Sequence, residues 1–171
     1  EPPRDWRALN DSTKRRASLD RRVAGVLPLP LSTPEGDGFT AENSPAVLGT
    51  SVVIAQWAGF RPGRRAPRGV QRVDWNPQAR QLELAWANAD IHFNGVPTIA
   101  CKTIGRNCHA YGMGRYGADY DYVSLDFETG RESGRINLGR KNDVLDQGNN
   151  HAVADDGSIV FSGKSKMVRI K

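Results

Sequence analysis

VPTIACK (Val96–Lys102), RNCHAYGM (Arg106–Met113), DYDYVSLD (Asp119–Asp126) and RINLG (Arg135–Gly139) follow one another in about fifty residues. Each is a short run rich in β-branched and aromatic residues, and the joints between them are rich in Gly, Asp and Thr. Such runs read as four antiparallel strands joined by tight turns. Fifty residues holding four strands is the size of one β-propeller blade.

The pattern recurs. NSPAVL (Asn43–Leu48), GVPTIA (Gly95–Ala100) and NHAVA (Asn150–Ala154) each open a short apolar strand from a polar or glycine entry. With Pro45, Pro97 and His151 as equivalents, the steps are 52 (97 − 45) and 54 (151 − 97). A second landmark keeps the first step: VDWN (Val73–Asn76) and LDFE (Leu125–Glu128) put Asp74 and Asp126 apart by 52 (126 − 74). A fixed period in this range marks a repeat architecture.

The first repeat reads SPAVL, SVVIAQW, GVQRVDW and QLELAW, and the last reads HAVA, SIVFS and KMVRIK without a fourth strand. The predicted fold is therefore all-β: a partial β-propeller of about three four-stranded antiparallel blades. Their approximate bounds are 41–92, 93–146 and an incomplete 147–171. Residues 1–40 are assigned to a partial preceding blade and the connection that follows it, because Asp20 echoes Asp74 at a separation of 54 (74 − 20). Three blades are too few to close a ring, so another chain or a second copy is expected to complete it. The rival is an open β-sandwich of this chain alone, whose unpaired edges count against it.

At LDFETGRE (Leu125–Glu132), followed by RINLG, the repeat resembles that of the PQQ-like, or quinoprotein-type, β-propeller family. In D-x-x-T-G the Asp carboxylate is suited to accept N–H groups inside the turn while Gly130 takes a positive φ. VDWNPQAR with the closing Trp of LAW (Leu84–Trp86) is a degenerate version, and HAVADDGSIVF is similar to the inner hairpin of such blades. The resemblance implies architecture over roughly residues 40 to 171. Quinoprotein dehydrogenases use a ring of vicinal cysteines, a calcium-binding acid and a Trp stacked on the quinone. Cys101 and Cys108 are not adjacent, and no acid here matches the metal ligand. The cofactor is thus left open between a metal ion, PQQ and none.

In a propeller the residues that open the innermost strands gather at one mouth of the central channel. The alignment places Glu42, Asn43, His92, Asn94, Asn149, Asn150 and His151 there. Amides and imidazoles converging on an axis suit a metal, a carboxylate or a sugar. His151 is the candidate catalytic residue; Asn43, His92, Asn94, Asn149 and Asn150 are candidate ligand contacts. The competing reading makes each Asn a turn cap and each His a local hydrogen-bonding group. His109 follows Cys108 in a second strand, which points to a structural role.

Cys101 and Cys108 are the only cysteines. With Ile104 and Gly105 as a two-residue turn, Thr103 faces Arg106 and Cys101 faces Cys108, which makes a disulfide geometrically plausible beside the alternative of two reduced thiols. A disulfide would place the chain outside the cell or in the periplasm.

Composition fits these readings without choosing between them. Of 171 residues 38% are hydrophobic and 25% charged, and 24 Lys and Arg against 19 Asp and Glu leave a net charge of +5. The basic residues are interleaved with acids; the densest cluster, Arg61–Arg68, is a Pro- and Gly-rich loop, so a nucleic-acid partner is not expected. No apolar run approaches the roughly 18 to 20 residues that cross a bilayer, and the lack of an initiator Met or signal-like segment reads as an internal start. Two functions follow: a ligand- or partner-binding propeller segment of a larger secreted or periplasmic assembly, or a portion of a propeller oxidoreductase with a quinone or metal in the channel.

Overall fold

Eleven strands in three antiparallel sheets make up a computed structural model that describes residues 44–56, 69–91, 93, 95–140, 151–162 and 167–171. The first sheet contains β1 (Ala46–Leu48), β2 (Ser51–Gln56), β3 (Gly69–Asn76) and β4 (Gln81–Asn88). The second contains β5 (Thr98–Thr103), β6 (Arg106–Tyr116), β7 (Asp119–Asp126) and β8 (Glu132–Arg140). The third contains β9 (His151–Val153), β10 (Ile159–Ser162) and β11 (Met167–Ile170). Spatial order follows chain order in all three, the order of a simple meander. No helix occurs among the described residues, and so none there is long and apolar enough to cross a membrane. Residues 1–43, including the proposed preceding blade and Trp6, lie outside the described residues, as do Trp57 and the loop of residues 61–68.

Alternation along the second sheet explains the stacking. Successive side chains on a strand point to opposite faces. Cys108, Ala110, Val123 and Leu125 share one face and are buried against Val53, Ala55, Val70 and Trp86 of the first sheet. Tyr111, Met113 and Tyr122 share the other face and pack with Ile159 and Phe161 of the third. The second sheet is thus covered on both faces, which accounts for the near-continuous burial of β7. Ile91 and Phe93, on the connection between β4 and β5, complete the first core. Phe93 is fully buried over Gly112, where a Cβ would fall 2.2 Å from its ring, so the plug requires glycine at that point of β6.

The two interfaces repeat. Leu138 lies 52 residues after Trp86 (138 − 86) and packs into the second core as Trp86 packs into the first. The amide after each landmark Asp closes an equivalent bond: Trp75 N donates to Thr50 O at 2.9 Å and Phe127 N to Cys108 O at 3.1 Å. Between sheets the strands that approach most closely are β1 with β5 and β5 with β9, so the first strand of every sheet lies in one row. The described sheets do not close on one another.

Candidate functional site

Two turns of the second sheet carry the motifs read in the sequence, one between β7 and β8 and one between β5 and β6. In D-x-x-T-G the Asp126 carboxylate accepts from Thr129 N at 2.8 Å and Thr129 Oγ1 at 2.7 Å. Those bonds hold Asp126 below the usual carboxylate range. Gly130 N donates to Asp126 O at 2.8 Å, and Gly130 has φ of 69°. The second turn is the cysteine hairpin. Cys101 pairs with Cys108 and Thr103 with Arg106, and the sulfurs are bonded. The Cα atoms stand 3.9 Å apart, below the expected range of roughly 4.4 to 6.8 Å.

Of the residues predicted at the channel mouth, the described structure includes His151. Glu42, Asn43, His92, Asn94, Asn149 and Asn150 lie outside it. His151 opens β9, beside β5, where its carbonyl accepts a 3.1 Å hydrogen bond from Thr98 Oγ1. Its ring turns into the seam between the second and third sheets. It meets Tyr122 edge-on with centroids 5.2 Å apart, and Tyr122 stacks in turn on Tyr111 and Phe161. Neither imidazole nitrogen reaches solvent or a well-formed hydrogen bond, and the Tyr122 hydroxyl is likewise sealed. Burial lowers the His151 pKa to about 4, a shift that the nearby Tyr111 main chain opposes only in part. At neutral pH the ring is uncharged. Burial also pushes the Tyr122 phenol far above its usual range, with a smaller contribution from Tyr111.

At the far end of the same seam a groove of about 590 Å³ opens between the β5–β6 hairpin and the β9–β10 turn. Lys102, Asn107, His109 and Tyr111 line one wall; Ala154 and Asp155 line the other. His109 was assigned a structural part in the sequence, yet its ring lies on this wall. The signal for it was alternation: with Cys108 and Ala110 facing the first sheet, His109 and Tyr111 must face the third.

A chain of hydroxyls holds the His109 ring: Ser124 Oγ donates to Gly134 O at 3.3 Å, Ser133 Oγ donates to Ser124 Oγ at 2.9 Å, and His109 Nδ1 lies 2.9 Å from Ser133 Oγ.

The described residues contain no group of three or more His, Cys, Asp or Glu side chains placed to hold an ion. The two cysteines, joined across a hairpin, do not form a vicinal ring.

No protein-family model matches the chain, and no solved structure matches it. An uncharacterized protein of Archaeoglobus fulgidus is 25% identical over 150 residues, which cover 76% of this chain. The chain spans 27% of that relative's length.

Proposed function

We propose that this chain is a segment of a PQQ-like β-propeller in a secreted or periplasmic assembly, binding a ligand or partner at the central channel while other blades complete the ring. The observation that carries the reading is the row of first strands, β1 beside β5 beside β9, at the spacing of the repeat. Sheets that meet along their first strands and stack face on face have the arrangement of neighbouring blades. Support also comes from the D-x-x-T-G turn, whose hydrogen bonds match the motif's physical logic, and from the longer archaeal relative, which continues well beyond the matched part. The disulfide suits an oxidising compartment.

Within this reading His151 supports the channel mouth from beneath. Its neutral, enclosed ring fits a packing role better than direct contact with ligand, which falls to the amide-bearing residues Asn43, Asn94, Asn149 and Asn150 and to His92. The oxidoreductase alternative gains no specific support from the described residues.

Electron microscopy of the native assembly tests the proposal. A ring of blades around a central channel is the expected image, with this chain supplying consecutive blades. An extended stack of sheets without a channel would overturn it. Metal and quinone analysis of the same preparation separates the two functions: stoichiometric calcium, copper or PQQ would replace the binding reading with the enzymatic one.

A further inference from the structure

We infer that the groove between the second and third sheets is a second binding site, built for the ring of a neutral sugar. It lies at the opposite ends of the innermost strands from the channel mouth, and it does not depend on how the ring is completed.

Its size falls within the few hundred to about 1,000 Å³ of small-molecule sites, at about 590 Å³. The chemistry of its two walls defines the ligand. One wall is aromatic: His109 and Tyr111 have ring centroids 6.1 Å apart and planes inclined by 51°, forming a shallow angled platform. Tyr111 is braced from behind by Tyr122, stacked at 6.1 Å, and Tyr122 by Phe161. A platform held this way loses little freedom when a ligand settles on it. The Cys101–Cys108 bond ties together the two strands that carry Lys102, Asn107 and His109, so the rim is equally constrained.

The polar groups on the rim are balanced in charge and in hydrogen-bonding sense. Lys102 supplies a cation and Asp155 a carboxylate, and neither makes an ion pair among the described residues. Asp156, also on the rim, is engaged by Arg169 at 2.6 Å and by Ser158. With one available charge of each sign, the rim favours neither an anion nor a cation. Lys102 donates, Asp155 accepts, and the Asn107 amide does both. A ligand that satisfies donors and acceptors together while laying an apolar face on aromatic rings is a hydroxylated ring with axial C–H groups. That description is a pyranose.

The test is NMR titration of the intact chain with methyl β-glucopyranoside, methyl β-galactopyranoside and N-acetylglucosamine, with glucuronate and glucosamine as charged counterparts. The expected result is saturable binding of at least one neutral sugar in the millimolar range, with shifts at the His109 and Tyr111 ring protons. Asp155→Ala and Lys102→Ala are exposed changes that preserve the fold, and each is expected to weaken that binding about fivefold to tenfold, a change easily resolved in Kd. Tyr111→Phe, which keeps the platform, should bind nearly as well as the parent chain. Failure of all three neutral sugars to move the His109 and Tyr111 resonances would overturn the assignment. So would tighter binding of glucuronate or glucosamine than of the neutral sugars, or undiminished binding by both exposed variants.

Discussion

The indole of Trp86 rests directly on the α-carbon of Gly130: a Cβ at Gly130 would fall 2.5 Å from both Cδ2 and Cε3 of the ring. The two residues belong to successive repeats, and their contact lies in the seam between the first and second sheets. Polar bonds surround it. Trp86 Nε1 donates to Phe127 O at 2.8 Å, Arg72 Nη1 donates to the same carbonyl at 2.9 Å, and Asn88 Nδ2 donates to Gly130 O at 2.8 Å. Arg72 is fixed by both oxygens of Asp74 and lies 4.1 Å from the centroid of the Phe127 ring. A residue in the last strand of the first sheet therefore contacts the β7–β8 turn of the second.

Gly130→Ala meets two obstacles, a positive φ and an indole with no room to move. The φ alone costs about 1 kcal/mol or more, and the clash adds to it. Trp86→Ala is expected to cost about 3 to 5 kcal/mol, whereas Trp86→Phe loses chiefly the indole hydrogen bond, about 1 kcal/mol. Urea unfolding of the three variants checks the order. If Gly130→Ala unfolds at the parental midpoint, the contact is not formed in solution.

The Asp126 carboxylate holds its turn through the amide and hydroxyl of Thr129. Asp126→Ala should lose about 0.5 to 2 kcal/mol, the range for removing a capping acceptor. Asp126→Asn, which retains one acceptor oxygen, should recover part of it. Amide exchange at Thr129 provides a local readout: faster exchange in the Ala variant is expected, and unchanged exchange would deny the carboxylate its role.

Reducing the Cys101–Cys108 bond opens a loop of few residues, for which chain entropy gives about 2 to 3 kcal/mol. The double variant Cys101→Ser, Cys108→Ser should melt lower than the oxidised chain and match the reduced one. Thiol titration of the unfolded, unreduced protein is expected to find no free thiol. Two free thiols would remove the bond and, with it, the argument for an oxidising compartment.

His151 makes stability depend on pH. Its folded pKa of about 4 lies below the ordinary value of 6.5, so the unfolded chain binds the proton more readily. The favourable contribution is complete above pH 6.5, declines as pH falls, and is gone once pH passes below about 4. The full span is about 3 kcal/mol, from the size of the shift at roughly 1.4 kcal/mol per unit. His151→Phe keeps an aromatic ring against Tyr122 and removes the titration. Chemical denaturation between pH 4 and 7 should show a slope in the parent that is largely absent in the variant; identical slopes would mean that the imidazole is solvated.

Much of the architecture was legible because its causes are local. Period-two alternation in β6 and β7, the Gly- and Asp-rich joints and the pairing of Cys101 with Cys108 around Ile104–Gly105 all rest on contacts between near neighbours in sequence. The hydrogen bonds of Asp126 to Thr129 span three residues and could be read from D-x-x-T-G itself. The repeat alignment took Pro45, Pro97 and His151 as equivalents at steps of 52 and 54, and β1, β5 and β9 open at Ala46, Thr98 and His151.

What the sequence by itself determined, then, was the set of strands, their pairing within each sheet and the residues shared by each face. Only the tertiary structure decided which face meets which. Alternation says that His109 and Tyr111 point together, but the groove they line exists because the β9–β10 turn stands opposite them. Repeat alignment put the backbone of His151 at the start of a first strand, but the side chain of such a residue has two faces to choose from, and packing against Tyr122 drew it into the seam. The contact of Trp86 with Gly130 has the same origin. Its partners are separated by 44 residues (130 − 86) and belong to different sheets, so sheet stacking, which no local propensity encodes, brings them together.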